Sequence, residues 1–173
     1  MSERTTAMRG NELPLEGPEL HVGDKAPDFK LHQRGPEGLG DVTLADFDGK
    51  TLILSVVPSL DTPVCEIQTK RFNEEVVGLP ADVDVLTVSM DLPFAQARFC
   101  SDKGTHHIKT ASDHRDASFG TAYGTLIPPL RIESRAVFVI GKDGTLKYVE
   151  YVPEVTDQPN YSAAIDAAKT ADN

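Results

Sequence analysis

Three apolar segments, at residues 51–57, 82–89 and 135–140, constrain this chain more than any other feature. The first reads Leu52-Ile53-Leu54-Ser55-Val56-Val57, apolar at nearly every position, as expected of a strand covered on both faces. The second alternates at first and then turns mostly apolar, and the third is strand-like throughout. A strand buried on both sides needs helices above and below it. The chain supplies candidates between the segments. Residues 64–77 read as a helix of poor amphipathicity. Pro93-Phe-Ala-Gln-Ala-Arg-Phe-Cys100 reads as another, with Pro93 in its first turn and Asp91 as its cap.

The remaining segments complete the pattern. Leu13, Leu15, Leu20 and Val22 are spaced as in a short extended hairpin, and residues 23–27 form a turn. Residues 29–31 and 108–111 read as short strands, and 116–123 as a short helix. Thr43 is placed to cap a single helical turn. The turn at 141–144 joins the third apolar segment to a returning strand at 145–152, making a hairpin. Tyr161, Ala164, Ile165 and Ala168 recur at helical spacing behind Asn160 as a cap. The fold class is therefore α/β: a mixed central sheet with flanking helices, of thioredoxin-like order, with an N-terminal β-hairpin extension. Residues 1–173 are expected to form one domain, of which about 1–22 are the extension.

Charge narrows the function. Seventeen basic residues face 27 acidic ones, a formal net charge of −10, and there is no Lys/Arg cluster. Such a chain repels phosphate backbones and anionic lipid surfaces, which argues against nucleic-acid and membrane partners. No apolar run is long enough to cross a bilayer, and the polar N-terminus does not read as a signal peptide, so a cytoplasmic location is expected. Two cysteines in such a chain are not a disulfide framework; transient catalytic or sensing thiols and inert buried ones both remain open.

Cys65 falls in the first turn of the helix that follows the buried strand. Unpaired amides there point at the sulfur, and the helix dipole favours negative charge on it. Pro58 fixes the chain direction at the strand exit, and Thr62 places a hydroxyl on the loop entering the same turn. A thiolate beside a hydroxyl suits attack on a carbonyl, a disulfide or a peroxide. The C-x-x-C exchange motif is absent. None of His21, His32, His106, His107 or His114 is placed beside Cys65 by the sequence, so a cysteine-protease arrangement has no base. Neither the cysteines nor the His106-His107 pair match metal-ligand spacing, so no metal is expected. The glycines at 38 and 40 and at 141 and 144 lack a phosphate-loop context, so no nucleotide cofactor is expected either. On this pattern alone, a helix-start cysteine that only packs stays open.

The string Pro58-x-x-x-Thr62-x-x-Cys65, extended as Pro58-Ser-Leu-Asp-Thr-Pro-Val-Cys-Glu-Ile-Gln-Thr69, resembles the active-site signature of the peroxiredoxins. Ser89-Met-Asp-Leu-Pro-Phe-Ala-Gln-Ala-Arg-Phe-Cys100, Ser112-Asp-His-Arg-Asp116, Ala122-Tyr-Gly124 and Ser134-Arg-Ala-Val-Phe-Val139 are similar to one subfamily, the atypical two-cysteine thiol peroxidases (Tpx). Gly23-Asp-Lys-Ala-Pro-Asp-Phe29 resembles the usual lead-in to the fold. The likeness runs from about residue 10 to the end. It implies a peroxidase acting on hydrogen peroxide and on alkyl or lipid hydroperoxides. Cys65 would be the peroxidatic cysteine, becoming a sulfenic acid. Thr62 would bond the peroxide oxygens, Pro58 would shield the sulfur, and Arg135 would lie beside it. Cys100 would resolve the sulfenic acid as an intramolecular disulfide. Thioredoxin would be the reductant, the assembly a homodimer, and no cofactor would be needed.

A disulfide requires Cα atoms within about 7 Å, which two helices of a packed domain seldom offer. The sulfurs are therefore expected to lie apart in the reduced form and to meet by local unwinding. Closing a loop of this length would restrain the unfolded chain by about 4 kcal/mol. Two other readings fit the same cysteines: a redox-responsive binding protein switched by the Cys65–Cys100 disulfide, and a scaffold with inert thiols. Thr62 and Arg135 favour the peroxidase, since a sensor needs no substrate-orienting pair.

Overall fold

The computed structural model describes residues 4–171. Two short strands, β1 (Thr5–Met8) and β2 (Asn11–Pro14), form the N-terminal antiparallel hairpin. Its turn is made by Arg9 (φ 51°) and Gly10 (φ 80°). Two left-handed residues are what a two-residue turn needs to match strand twist, but a Cβ at the first costs about 1 kcal/mol. The part of the hairpin expectation that concerns residues 1–3 lies outside the described residues.

A second hairpin follows, β3 (Lys30–Gly35) and β4 (Gly38–Thr43), and then a 3-10 turn at Leu44–Phe47. The sequence pattern finds only the start of β3. β4 escapes it because most of that strand is exposed and carries little alternation. The core then alternates as expected: β5 (Thr51–Val56), α1 (Pro63–Glu75), β6 (Val83–Ser89), α2 (Pro93–Lys103), β7 (Lys109–Ser112) and α3 (Ser118–Tyr123). A two-residue pair, β8 (Leu126–Ile127) and β9 (Ile132–Glu133), precedes β10 (Ala136–Ile140), β11 (Leu146–Tyr151) and α4 (Tyr161–Thr170).

Seven strands form one mixed sheet in the order β11-β10-β5-β6-β7-β3-β4. β5, β6 and β7 are parallel neighbours, whereas β10 runs antiparallel to β5. Alternate residues of β5 feed opposite cores. Leu52, Leu54 and Val56 join Leu86, Phe119, Tyr123 and Phe138 on one face. Ile53 joins Val85, Phe72 of α1, and Ala164, Ile165 and Ala168 of α4 on the other. This explains why the β5 sequence is apolar without alternation. The Asn160 side chain accepts from the Ala163 amide and caps α4, as its position predicts.

Two helices depart from expectation. α2 begins after Leu92, and Asp91 does not cap it, because the Asp91 carboxylate is taken up elsewhere. α2 also buries only Pro93 and Gln96, with Leu92 and Phe94 exposed. In α1 the buried stripe is Cys65, Gln68, Thr69, Phe72 and Asn73. This has true helical spacing, but most of the buried residues are polar, which is why the pattern reads as poorly amphipathic.

Candidate active site

The end of β5 and the start of α1 build the site. Val57 and Pro58 are buried as the chain leaves the strand, and Thr62 is the extended N-cap residue of α1 with Pro63 behind it. Proline suits this first helical position because its missing N–H has no partner there in any case. Cys65 thus sits inside the first helical turn, with 0% of its surface exposed.

Arg135 lies just before β10, antiparallel to β5, so the sheet itself carries it to the start of α1. It is 2% exposed, and all three faces of its guanidinium are used. Nη2 donates to Cys65 Sγ at 3.2 Å, Nη1 to Gln68 Oε1 at 2.8 Å, and Nε to the Val155 carbonyl at 2.8 Å. Gln68 Nε2 in turn donates to Ser55 Oγ at 2.8 Å. A guanidinium is a rigid planar fork, so two fixed acceptors, Gln68 Oε1 and the Val155 carbonyl, hold Nη2 aimed at the sulfur. Such burial is not that of a solvated charge at a strand end.

The loop before α1 is held by a second network. Thr62 Oγ1 donates to the Ser59 carbonyl at 2.9 Å. The Asp91 carboxylate accepts from Ser59 Oγ at 2.7 Å, the Leu60 amide at 2.8 Å and Ser89 Oγ at 2.7 Å. Gln96 of α2 reaches the same place, with Nε2 donating to Ser89 Oγ and the Ala111 carbonyl. Asp91 therefore joins the loop carrying Thr62 to the ends of β6 and α2.

A cavity of about 330 Å³ opens at this point. Pro58, Thr62, Pro63 and Val64 line one side of it and Arg135 its buried end. Val155 and Thr156 line the other side, with Met8 and Arg9 of the β1–β2 turn. The sulfur lies one guanidinium away from this cavity, through Arg135 Nη2.

Cys100 lies elsewhere. It is half-buried on α2, with its sulfur 3.9 Å from Thr110 Oγ1 of β7, and both cysteines are free thiols. Its neighbour Phe99, not Cys100 itself, packs against the small cluster of Val57, Leu60 and Cys65. His32 and His114 face each other, Nδ1 to Nε2 at 3.2 Å, with no contact to Cys65. The sequence reading thus names Pro58, Thr62, Cys65 and Arg135, which the structure brings together, and Cys100, which it holds apart. It misses Gln68, Asp91 and the Val155 carbonyl. Gln68 carries a usable signal, since it lies three residues after Cys65 and so on the same helix face. A backbone carbonyl carries none.

Residues 21–165 match the family model described as Redoxin. The chain belongs to the redoxin family. Over 163 residues this redoxin is 53% identical to a thiol peroxidase of Halalkalibacterium halodurans, covering 94% of this chain and 96% of that protein. It is 50% identical over 161 residues to a thiol peroxidase of Bacillus subtilis, covering 93% and 94%. Among solved structures, a peroxiredoxin-like protein from Aquifex aeolicus superposes with a TM-score of 0.89 at 43% identity, covering 96% of each chain. A thiol peroxidase from Chromobacterium violaceum shares the fold at 20% identity, with a TM-score of 0.86. These likenesses identify the redoxin as a peroxiredoxin-type thiol peroxidase with a thioredoxin-like fold.

Proposed function

We propose that this thiol peroxidase reduces hydrogen peroxide and organic hydroperoxides, alkyl and lipid ones included, at Cys65, and that Cys100 resolves the product for thioredoxin to recycle. The observation that carries the reading is the 3.2 Å contact from Arg135 Nη2 to Cys65 Sγ. A buried cation aimed at a sulfur in the first turn of a helix stabilises negative charge on that sulfur, as do the free amides of the turn. The thiolate attacks the terminal oxygen of RO–OH. The O–O bond breaks, the sulfur keeps that oxygen as Cys65–SOH, and RO⁻ takes a proton and leaves as the alcohol. Arg135 is placed to stabilise the charge that moves onto the leaving oxygen. Thr62 Oγ1 donates to the Ser59 carbonyl, so its lone pairs are free to accept from the peroxide O–H. Pro58 covers the sulfur from solvent.

In the second step Cys100–S⁻ attacks the Cys65 sulfenic sulfur; the S–O bond breaks, the disulfide forms, and the hydroxide takes a proton and leaves as water. A dithiol reductant of the thioredoxin type then reduces that bond and is itself oxidised. Because Phe99 packs where Cys100 must come, α2 has to unwind or turn before the sulfurs meet. The size of the cavity supports the organic substrates. Hydrogen peroxide has two heavy atoms and needs on the order of twice the ~30 Å³ share of one water, whereas the cavity offers about 330 Å³ with largely apolar walls.

Peroxide consumption coupled to a thioredoxin system tests the scheme. Cys65→Ser should abolish turnover. Cys100→Ser should lose cycling while one equivalent of peroxide still adds 16 Da at Cys65, about one oxygen atom, by mass spectrometry. Full turnover by Cys65→Ser would refute the proposal.

A further inference from the structure

The cavity has two cationic ends. Arg135 closes it at the buried end, where its guanidinium is spoken for by Cys65, Gln68 and Val155. Arg9 stands at the exposed end, on the tip of the N-terminal hairpin. Among the described residues its guanidinium forms no ion pair or hydrogen bond, in a chain with more acids than bases.

Three features show that Arg9 is held at this place. The hairpin is bolted to the segment after β11: the Ala7 amide donates to the Pro153 carbonyl at 2.9 Å and the Val155 amide to the Ala7 carbonyl at 2.8 Å. Glu154, the nearest acid along that segment, makes no ion pair with the Arg9 guanidinium; it binds the backbone of the turn instead. Its carboxylate accepts from the Gly10 amide at 2.8 Å and from the Thr156 amide and hydroxyl at 2.9 and 2.8 Å. These partners hold its pKa at about 2. Finally, Arg9 occupies the first left-handed position of the turn, where asparagine, aspartate or glycine is the ordinary choice. A local rule broken beside a cavity is a pointer to function.

Resting on the peroxidase reading above, we infer that Arg9 is a specificity-determining residue that receives the anionic end of the substrate, so that the preferred organic hydroperoxides carry a carboxylate on an apolar chain. The walls between the two ends are Met8, Pro58, Pro63, Val64 and Val155, which suit that chain and offer it no polar partner. The hydroperoxide group goes to the buried end at Thr62 and Arg135, and the carboxylate to Arg9. A guanidinium binds a carboxylate through two parallel N–H bonds, which fixes the orientation of the substrate as well as adding affinity.

The test compares a fatty-acid hydroperoxide with its own methyl ester, which keeps the chain and the O–O bond and removes the charge. The wild type should favour the acid in kcat/KM by about three- to fivefold, mostly through KM, because charge-assisted pairs at an exposed end are of that order. Since Arg9 is exposed, the preference should shrink between 0.05 and 1 M salt, as the screening length falls to about 3 Å. Arg9→Gln should bring the acid-to-ester ratio to about one, and Arg9→Lys should restore part of it. Arg9→Asn should lose the preference while melting at least as high as the wild type, because asparagine tolerates the left-handed backbone, so misfolding cannot explain the loss. An acid-to-ester ratio near one in the wild type, or an unchanged ratio in Arg9→Gln, overturns the inference. An equal fall for acid and ester overturns it too, since that is a structural effect. Absence of turnover with every peroxide, hydrogen peroxide included, instead overturns the reading on which it rests.

Discussion

Replacing Asp91 by alanine removes a carboxylate that fastens the Thr62 loop to the sheet. The carboxylate accepts from Ser59 Oγ, the Leu60 amide and Ser89 Oγ. Leu60 is only 4% exposed and Ser89 is fully buried, so their donors are poorly placed to find replacement partners. An orphaned buried donor costs about 1–3 kcal/mol, and the half-buried Ser59 hydroxyl can turn to solvent at little cost. The sum is about 2–6 kcal/mol, which for a chain of this size lowers the melting temperature by on the order of 4–24 °C. With Ser59 released, the carbonyl that holds Thr62 moves as well, and a misplacement of about 1 Å lowers the rate by up to 100-fold. Stopped-flow measurement of the first oxidation step, beside urea unfolding, reads both effects. Asp91→Asn separates geometry from charge. Its carbonyl oxygen can take Leu60 and Ser89, its amide can donate to a reoriented Ser59 hydroxyl, and the loss should stay within about 1 kcal/mol. Alanine within 0.5 kcal/mol of the wild type at an unchanged rate would refute the account. So would asparagine as damaging as alanine, which would put charge, not placement, in control.

Two further expectations follow from buried groups. Arg135→Lys should fold but slow the reaction with peroxide by about 10²–10³-fold in single-turnover assays, because an ammonium cannot meet Gln68, Val155 and the sulfur together; a loss under threefold would contradict it. Glu133 is fully buried against Thr125 and Asp113, and burial pushes its pKa well above the ordinary value of 4.5. Its unfolded form releases a proton that the folded form keeps, so wild-type stability should fall as pH rises above about 4.5. Glu133→Gln mimics the protonated form and should be more stable than the wild type at pH 7 by about 1 kcal/mol, with the gap widening from pH 5 to 7 in urea titrations. Parallel stability curves for the two proteins would contradict this.

The parts of this molecule that could be read from its residues are those governed by local rules. The apolar β5 reveals its burial on both faces, the helix after it is legible from residue 64, one residue late, and Asn160 reveals the start of α4. Edge strand β4 and the two-residue pair β8–β9 were not legible, because short or exposed strands carry no hydrophobic period. The stripe of α1 misled for a different reason. Gln68, Thr69 and Asn73 are buried to make specific bonds: to Arg135 and Ser55, to the Cys65 carbonyl, and to the His107 amide. A hydropathy pattern scores these as solvent-facing. Asp91 shows the same limit. Standing two residues before Pro93, it looks like a cap, and only the return of the chain at Ser59 reveals its use.

The shallow seating of α2 has a consequence for how the whole molecule endures its own chemistry. α1 and α4 insert Phe72, Tyr161 and Ile165 into the sheet, each worth about 1.5–3 kcal/mol, whereas α2 adds no side chain to either large core and rests on Pro93, Gln96 and the half-buried Phe99. Lifting this one segment leaves both cores intact. On the proposed scheme, in which Cys100 must reach Cys65, the deformation of each turnover would fall in a piece that inserts nothing into the two large cores, and would close again from a scaffold that never melted.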